Sequence, residues 1–224
     1  MAKEAKQLKD LFHDVVQHVR VNYADIIDKA YSYYWDAENP DEFLGGTALS
    51  LGFHNFEDWL VFDYKVNEEG ETLTDLFIKS QHLGDDAVSL LRRAQESVLS
   101  LYEVSSVAKD KRVILKDILL NHEVDLMDKT MTQGLKKGDL FATRILNLDG
   151  KAAMGGCVYP YLSGQKKQIL SYIDKQFNRY TRNVKKDGTM KDYLKDYGDV
   201  FNIIWMNFII GPPEEKKEGS PASR

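Results

Sequence analysis

Three long stretches of the chain carry apolar residues at spacings of three and four, which is the pattern of an amphipathic helix. They span residues 5–35, 165–182 and 189–210. The first should end before Asn39-Pro40, because the residue that precedes a proline is disfavoured in the helical region. Gly198 is the weak point of the third. Each apolar stripe needs a partner, so we expect the three helices to pack on one another or to leave one stripe for a homodimer.

Shorter helices between the first stripe and residue 99 are predicted from their capping residues. Asn55-x-x-Asp58 and Thr72-x-x-Asp75 both have the spacing of a helix N-cap. Gly84 suits the end of the second of these helices, and Asp85-Asp86 place negative charge at the start of the next one. These segments complete an N-terminal half that is helical throughout.

The pattern changes at 100–161, where short runs of apolar and β-branched residues alternate with turn residues. Five short strands are predicted here. Asp149-Gly150 suits a type I′ hairpin turn, which needs a positive φ at both central residues. Gly155-Gly156 indicates a bulge or a close backbone approach in the returning strand. So few short strands favour a small barrel or a rolled sheet.

Together these elements predict an α+β fold with N-terminal helices, a central five-stranded barrel-like antiparallel sheet and two C-terminal helices. We divide the chain into a helical region at 1–99 and a β module at 100–162. The C-terminal helices at 163–211 are expected to pack on the N-terminal region, and the tail at 212–224 has the composition of a disordered segment.

Composition limits the classes of function. The content of 43% hydrophobic and 29% charged residues is typical of a globular protein. The net charge of -5 indicates that the protein as a whole does not attract polyanions. The single cysteine, Cys157, excludes an intramolecular disulfide and a zinc site built from several cysteines. We recognise no secretory signal, and the longest apolar run, 200–210, is shorter than the ~20 residues of a membrane span. We therefore expect a cytoplasmic protein with no membrane contact.

Several segments of the chain carry a resemblance to a known group of proteins. They are FEDWLVFDYKV at 56–66, SLYEV at 100–104, ILKDIL at 114–119, LKKGDLFATRI at 135–145 and CVYPY at 157–161. This arrangement resembles uncharacterised bacterial and archaeal proteins in which such a segment and β region occur together with a SEC-C motif, a short cysteine-rich zinc knuckle. The likeness spans about half of the chain and implies the order of helices followed by a β region. It implies no activity, and the SEC-C motif itself is absent because no cysteine follows Cys157.

The first candidate site is the aromatic segment around Trp59, Asp63 and Tyr64. A carboxylate at the end of a helix is unfavourable for the helix dipole, so Asp63 needs a compensating partner. Asp58 and Asp63 near aromatic rings could act as a general acid and base. The stronger interpretation is structural, with Asp58 as a capping group and Asp63 as a helix-end group that meets a backbone N–H or a tyrosine hydroxyl.

No set of catalytic groups or metal ligands converges in the sequence. Asp14 and His18 share a helix face, but such a pair occurs by chance in many acidic helices. Gly-x-Ser-x-Gly, the P-loop and Gly-x-Gly-x-x-Gly do not occur, which removes the common hydrolase, NTPase and dinucleotide-binding classes. We predict no catalytic residue, no metal site and no cofactor.

The second candidate site is a basic segment near the C-terminus. Residues 1–99 hold 19 acidic and 9 basic residues, whereas residues 165–197 hold 9 basic and 4 acidic ones. Basic residues interleaved with aromatic ones could hold phosphates while bases stack. The plainer interpretations are a solvated helix face and a charge match to the acidic N-terminal half. The candidate nucleic-acid contacts are Lys166, Lys167, Lys175, Arg179, Arg182, Lys185 and Lys186.

Three functions follow from these observations. The first is a non-enzymatic binding or regulatory protein whose β module presents a surface to a macromolecular partner. The second makes that partner a nucleic acid, bound by the basic helix at 165–186. The third is an enzyme with a site near Asp63 and Tyr64.

Overall fold

The computed structural model describes residues 3–210 and confirms the α+β class. Helices at both ends of this range flank a single sheet. The helices are α1 (Lys3–Asn22), α2 (Ala24–Tyr34), α3 (Gly46–Phe62), α4 (Leu73–Ser80), α5 (Asp85–Glu96), α6 (Met131–Gly134), α7 (Lys166–Asn183), α8 (Met190–Asp196) and α9 (Val200–Ile210). The strands are β1 (Leu99–Ala108), β2 (Arg112–Asp117), β3 (His122–Leu126), β4 (Leu140–Leu148) and β5 (Lys151–Tyr161). The tail predicted at 212–224 lies outside the described residues.

The five strands form one antiparallel sheet in the order β3-β2-β1-β4-β5, and the sheet does not close into a barrel. The barrel prediction was therefore wrong. Helix α3 lies against β5, and its Asn55 side chain bonds both backbone groups of Val158, accepting from the N–H at 2.7 Å and donating to the carbonyl oxygen at 2.9 Å. The helix thus satisfies edge groups that another strand would otherwise pair with.

The sheet has an apolar layer on each face because side chains alternate along a strand. Leu99, Leu101 and Ala142 belong to a core shared with the helices. Tyr102, Val104 and their neighbours form a second cluster, which α6 approaches through Met131. Both faces of the β module are therefore occupied by packing.

Two long helices predicted from their apolar stripes are each broken once. The stripe at 5–35 is divided between α1 and α2, because Tyr23 leaves the helical region with φ -135° and ψ 37°. The stripe at 189–210 is divided between α8 and α9 next to Gly198, the weak point in the sequence. A Cβ atom at Gly198 would lie 3.2 Å from Asp63 Oδ2, so this position has little room for a side chain.

The C-terminal helices contact the N-terminal ones. Asn202 Nδ2 in α9 donates to the carbonyl oxygen of Tyr34 at 2.7 Å, and the Tyr33 hydroxyl donates to Asp199 at 2.9 Å. None of the helices within residues 3–210 combines the length and apolar character that crossing a membrane requires.

Candidate functional site

One buried arginine crosses the junction between the sheet and the helices. Arg144 lies in β4, and its side chain is 0% exposed. Its Nε atom donates to Asp58 Oδ1 at 3.0 Å, and its Nη2 atom lies 2.9 Å from the same oxygen and also pairs with Asp63. Its Nη1 atom donates to the carbonyl oxygen of Ser97 at 2.6 Å. A single cation therefore joins β4 to two carboxylates at α3.

Asp63 has a second cationic partner. It is the C-cap residue of α3, where the dipole disfavours a negative charge. Lys195 in α8 donates from Nζ to Asp63 Oδ1 at 2.5 Å and to the carbonyl oxygen of Phe62 at 2.9 Å. The prediction that Asp63 needs a compensating partner is confirmed. We call Arg144, Asp58, Asp63 and Lys195 the buried ion network.

Asp58 does not cap a helix. The sequence placed a helix start at Asn55, but α3 begins at Gly46 and both side chains lie within it. Asn55 reaches β5 and Asp58 reaches Arg144. The N-cap spacing of Asn55 and Asp58 is therefore coincidental, because each side chain binds a partner on another element and not the start of a helix.

Burial and neighbouring charges together set the pKa values of groups in and beside this network. Burial opposes the charged form of Arg144, but the nearby Asp58 and Asp63 carboxylates outweigh it and raise the pKa of this guanidinium. Burial lowers the pKa of Lys195, although Asp63 acts in the opposite direction. Burial also raises the pKa of the Cys157 thiol well above its usual range, with the Asp58 charge acting in the same sense. Cys157 is therefore kept as a thiol, which is a poor nucleophile.

The structure brings Trp59, Asp63 and Tyr64 together but encloses the carboxylate. The rings of Trp59 and Tyr64 are 5.0 Å apart, and Asp63 is buried. Each oxygen of Asp63 is bound by a cation, one by Arg144 and the other by Lys195. A general base must reach the proton of a substrate, but the Asp63 side chain is only 2% exposed. The arrangement suits a structural ion network better than an acid–base pair.

Sequence reasoning missed Arg144 altogether. A signal was present, because Arg144 is the one charged residue in β4 and shares the strand parity of the apolar Ala142 and Leu146. A lone charge on the inward face of a strand requires a buried partner of opposite sign. The partners could not be identified because they lie more than 80 positions away in the chain.

The second candidate site is the outer face of α7, which we call the basic face and define by Lys167, Lys175, Arg179 and Arg182. These four side chains are exposed. Lys175, Arg179 and Arg182 follow at spacings of four and three, so they share one side of the helix. The opposite side is buried through residues that include Ile169 and Ile173.

The other predicted contacts differ in their environment. Lys166 pairs with Glu103 at 2.8 Å, and Lys185 pairs with Asp192 at 2.7 Å, which raises the pKa of Lys185 through that hydrogen bond. Lys186 is exposed in the turn after α7. Among residues 3–210, no carboxylate forms an ion pair with the four members of the basic face. Within this range, the four cations therefore do not pair with carboxylates of the acidic N-terminal half.

The aromatic residues between these cations are used for packing. Tyr180 and Tyr193 are each 2% exposed, and their rings are 5.7 Å apart across the contact of α7 with α8. Phe177 lies 5.9 Å from Tyr193, and Tyr197 stacks on Tyr193 at 5.6 Å. The expected interleaving of cations with free aromatic rings is not formed at Tyr180 and Tyr193.

Fold and sites define a class of protein: a helix-flanked antiparallel sheet, tied together by a buried ion network, with one exposed cationic helix. The chain belongs to a family of unknown function, DUF7986, whose sequence model matches residues 52–197. This range contains the complete ion network and all of α7. No curated protein and no solved structure matches the chain. The resemblance to proteins with a SEC-C motif stays a prediction.

Proposed function

We propose that this protein is a non-enzymatic binding protein whose partner is a nucleic acid, contacted through the basic face of α7. The observation that carries the proposal is the exposure of four cations on one side of a single helix without acidic partners among residues 3–210. α7 contains five basic residues and one acidic residue, Asp174. Its surface is thus strongly positive within a chain whose net charge is -5.

The negative charge of the whole chain favours a single binding orientation. Phosphates are repelled by the acidic N-terminal half and attracted to α7, so an approaching polyanion is steered to this face. Lysine and arginine side chains that neutralise phosphates release condensed counterions, and this release drives association. Binding should therefore weaken steeply as the salt concentration rises.

The β module offers less for a partner. Both of its faces are packed, one against the helices and the other within its own cluster, as described above. A binding surface on the helices is better supported than the surface on the sheet that the sequence led us to expect.

The test compares two variants that remove the same charge from different places. Lys175, Arg179 and Arg182 are replaced by Gln in one variant, and the exposed Lys109, Lys111 and Lys129 are replaced by Gln in the control. Binding to labelled DNA and RNA is measured by fluorescence anisotropy at about 50 mM salt, where phosphate contacts are strong. We expect the first variant to lose at least about tenfold in affinity, because three phosphate contacts are removed, and the control to change little.

Two results would contradict the proposal. One is the absence of binding by the unmodified protein to any of these nucleic acids. The other is an equal loss of affinity in both variants, which would show that binding depends on the total charge of the protein and not on contacts made by α7.

A further inference from the structure

We infer that the nucleic acid is double-stranded and is held through its phosphates. This inference rests on the proposed function and specifies the ligand of the same face. Two features of α7 carry it: its aromatic rings, Tyr172, Phe177 and Tyr180, all pack against the core, and its exposed cations lie on the outer side of the helix.

Proteins that bind single strands combine a positively charged groove with aromatic platforms on which successive bases stack. Tyr180, on the side of α7 opposite the basic face, is buried with Tyr193 between α7 and α8. Tyr172, three positions before Lys175 and on the same side of the helix, is half-buried and packs against the core. The Tyr180 hydroxyl also donates to Asp196 at 2.7 Å, which fixes the ring in that contact. Turning it outward to meet a base would break this bond and expose part of the core.

The shape of the site points the same way. The basic face is the solvent-exposed side of a single α-helix. The major groove of B-form DNA is about 12 Å wide and admits an α-helix, with a row of phosphates on either side. The cations of one exposed helix can therefore approach both phosphate rows of a DNA duplex.

The length of the basic face also suits a stiff ligand. Fifteen residues separate Lys167 from Arg182, which is about 22 Å along the helix at 1.5 Å per residue. A duplex offers one negative charge for about every 1.7 Å of its axis, so phosphates are available along the whole face. The duplex is straight over this distance because its persistence length is about 50 nm.

The experiment uses the full chain and four labelled ligands of one sequence: duplex DNA and duplex RNA of about 20 base pairs, near two helical turns, and the corresponding single strands. We expect at least one duplex to bind about tenfold tighter than its single strands, since the rings of α7 pack against the core and offer bases little surface for stacking. If all four basic-face cations touch phosphates, log K should fall against log salt with a slope of about -3.6 on that duplex.

Single substitutions test the contact itself. Lys175→Gln should reduce the magnitude of the salt slope by about 0.9, the value for one phosphate contact, whereas Lys109→Gln should leave it unchanged. A slope that does not change in Lys175→Gln would overturn phosphate contact at this position.

The outcomes separate the two proposals. Single strands that bind as tightly as duplexes, or tighter, would overturn the duplex inference and leave a nucleic-acid-binding protein. If neither form binds at low salt, both proposals are wrong. Preference for duplex DNA would support the inference. Preference for duplex RNA would support the phosphate contacts but overturn entry of α7 into the major groove, which is deep and narrow in A-form RNA.

Discussion

Arg144 connects three elements that are distant in the sequence. It lies in β4, pairs with Asp58 and Asp63 at α3, and shares Asp63 with Lys195 of α8. Desolvating these charges costs free energy, which their mutual attraction offsets only while every member is present. The guanidinium also lies over the ring of Phe62, 5.2 Å from its centroid. At the scale of single residues, we therefore expect a substitution in this network to destabilise the fold more than one at the surface.

We expect Arg144→Met to lower the free energy of unfolding by about 3–5 kcal/mol, because it leaves Asp58 buried without its cationic partner and Asp63 with Lys195 alone. The measurement is equilibrium unfolding in urea. Arg112→Met is the matched control, since Arg112 pairs with Asp125 at 2.9 Å on the surface and exposed pairs contribute about 1 kcal/mol or less. Equal losses in the two variants would show that the network contributes no more than a surface pair.

Asp75 gives a prediction about pH. Burial alone would raise its pKa, but hydrogen bonds from the Thr72 backbone N–H, Arg92, the Thr72 hydroxyl and Gln95 outweigh burial and lower it. A lowered pKa in the folded state means that the stabilisation is fully present above the ordinary value of 3.8 and is lost as pH falls through the folded-state pKa. Asp75→Asn should therefore cost about 1 kcal/mol at neutral pH, the usual effect of losing a cap.

The difference between the unmodified protein and Asp75→Asn should stay constant down to about pH 4 and shrink from there to about pH 2, because the carboxyl of the unfolded chain binds its proton first and folded Asp75 follows at a lower pH. Unfolding in urea at each pH measures it. Asp187→Asn, in the exposed turn between α7 and α8, is the control and should show no such trend. A difference that stays constant between about pH 4 and about pH 2 would contradict the role assigned to the Asp75 carboxylate.

At the scale of elements, a helix cap and a tight turn were predicted correctly, because they depend on residues that are close in the sequence. Thr72 caps α4 as predicted and forms a capping box with Asp75. Asp149 and Gly150 have φ of 50° and 70°, as a type I′ turn requires. Features that depend on distant partners were not predictable in this way. Asn55 was assigned to a cap because its partner in β5 is 103 positions away, and Gly84 begins α5 instead of ending α4.

The same limit applies to the candidate sites. The need for a partner at Asp63 followed from the helix dipole, but Arg144 could be found only from the pairing of strands. The cations of the basic face could be read from their spacing in the sequence. The burial of Tyr180 and Tyr193 could not, because it depends on the contact of α7 with α8.

The glycine pair in β5 connects the sheet register to the ion network. The register between β4 and β5 shifts between Thr143 and Ile145, which confirms the predicted bulge. A Cβ atom at Gly155 would lie 3.2 Å from Arg144 Cβ and 3.3 Å from the Arg144 carbonyl oxygen. The same atom at Gly156 would meet nothing within 4 Å.

We therefore expect Gly155→Ala to destabilise the fold by about 1–3 kcal/mol, the usual cost of overpacking. The added methyl group would crowd the backbone that positions the Arg144 side chain. Gly156→Ala, one residue away in the same bulge, should change stability by less than about 0.5 kcal/mol. Thermal and urea unfolding of the two variants provide the comparison. The reverse order of the two effects would show that Arg144 is not positioned by this close approach.

At the scale of the whole molecule, the sheet and the helices of both ends share one core. Leu11 of α1, Leu101 of β1 and Phe201 of α9 belong to the same buried cluster, and the three tryptophans, Trp35, Trp59 and Trp205, are all within it. The helices cannot bury their apolar stripes without the sheet, so their unfolding should coincide with the opening of the sheet. The basic face lies outside this core, which lets its charges vary without unfolding the chain.

The single cysteine provides a direct test of this coupling. Cys157 is fully buried on the helix-facing side of β5, and its raised pKa suppresses the reactive thiolate. We expect its labelling by a thiol reagent to require global unfolding, so the free energy of opening from labelling rates should equal that from tryptophan fluorescence in urea. The Cys157→Ser variant supplies the background rate. Rapid labelling while the fluorescence remains native would instead show that β5 separates from the helices as an independent unit, and the single cooperative core would then be wrong.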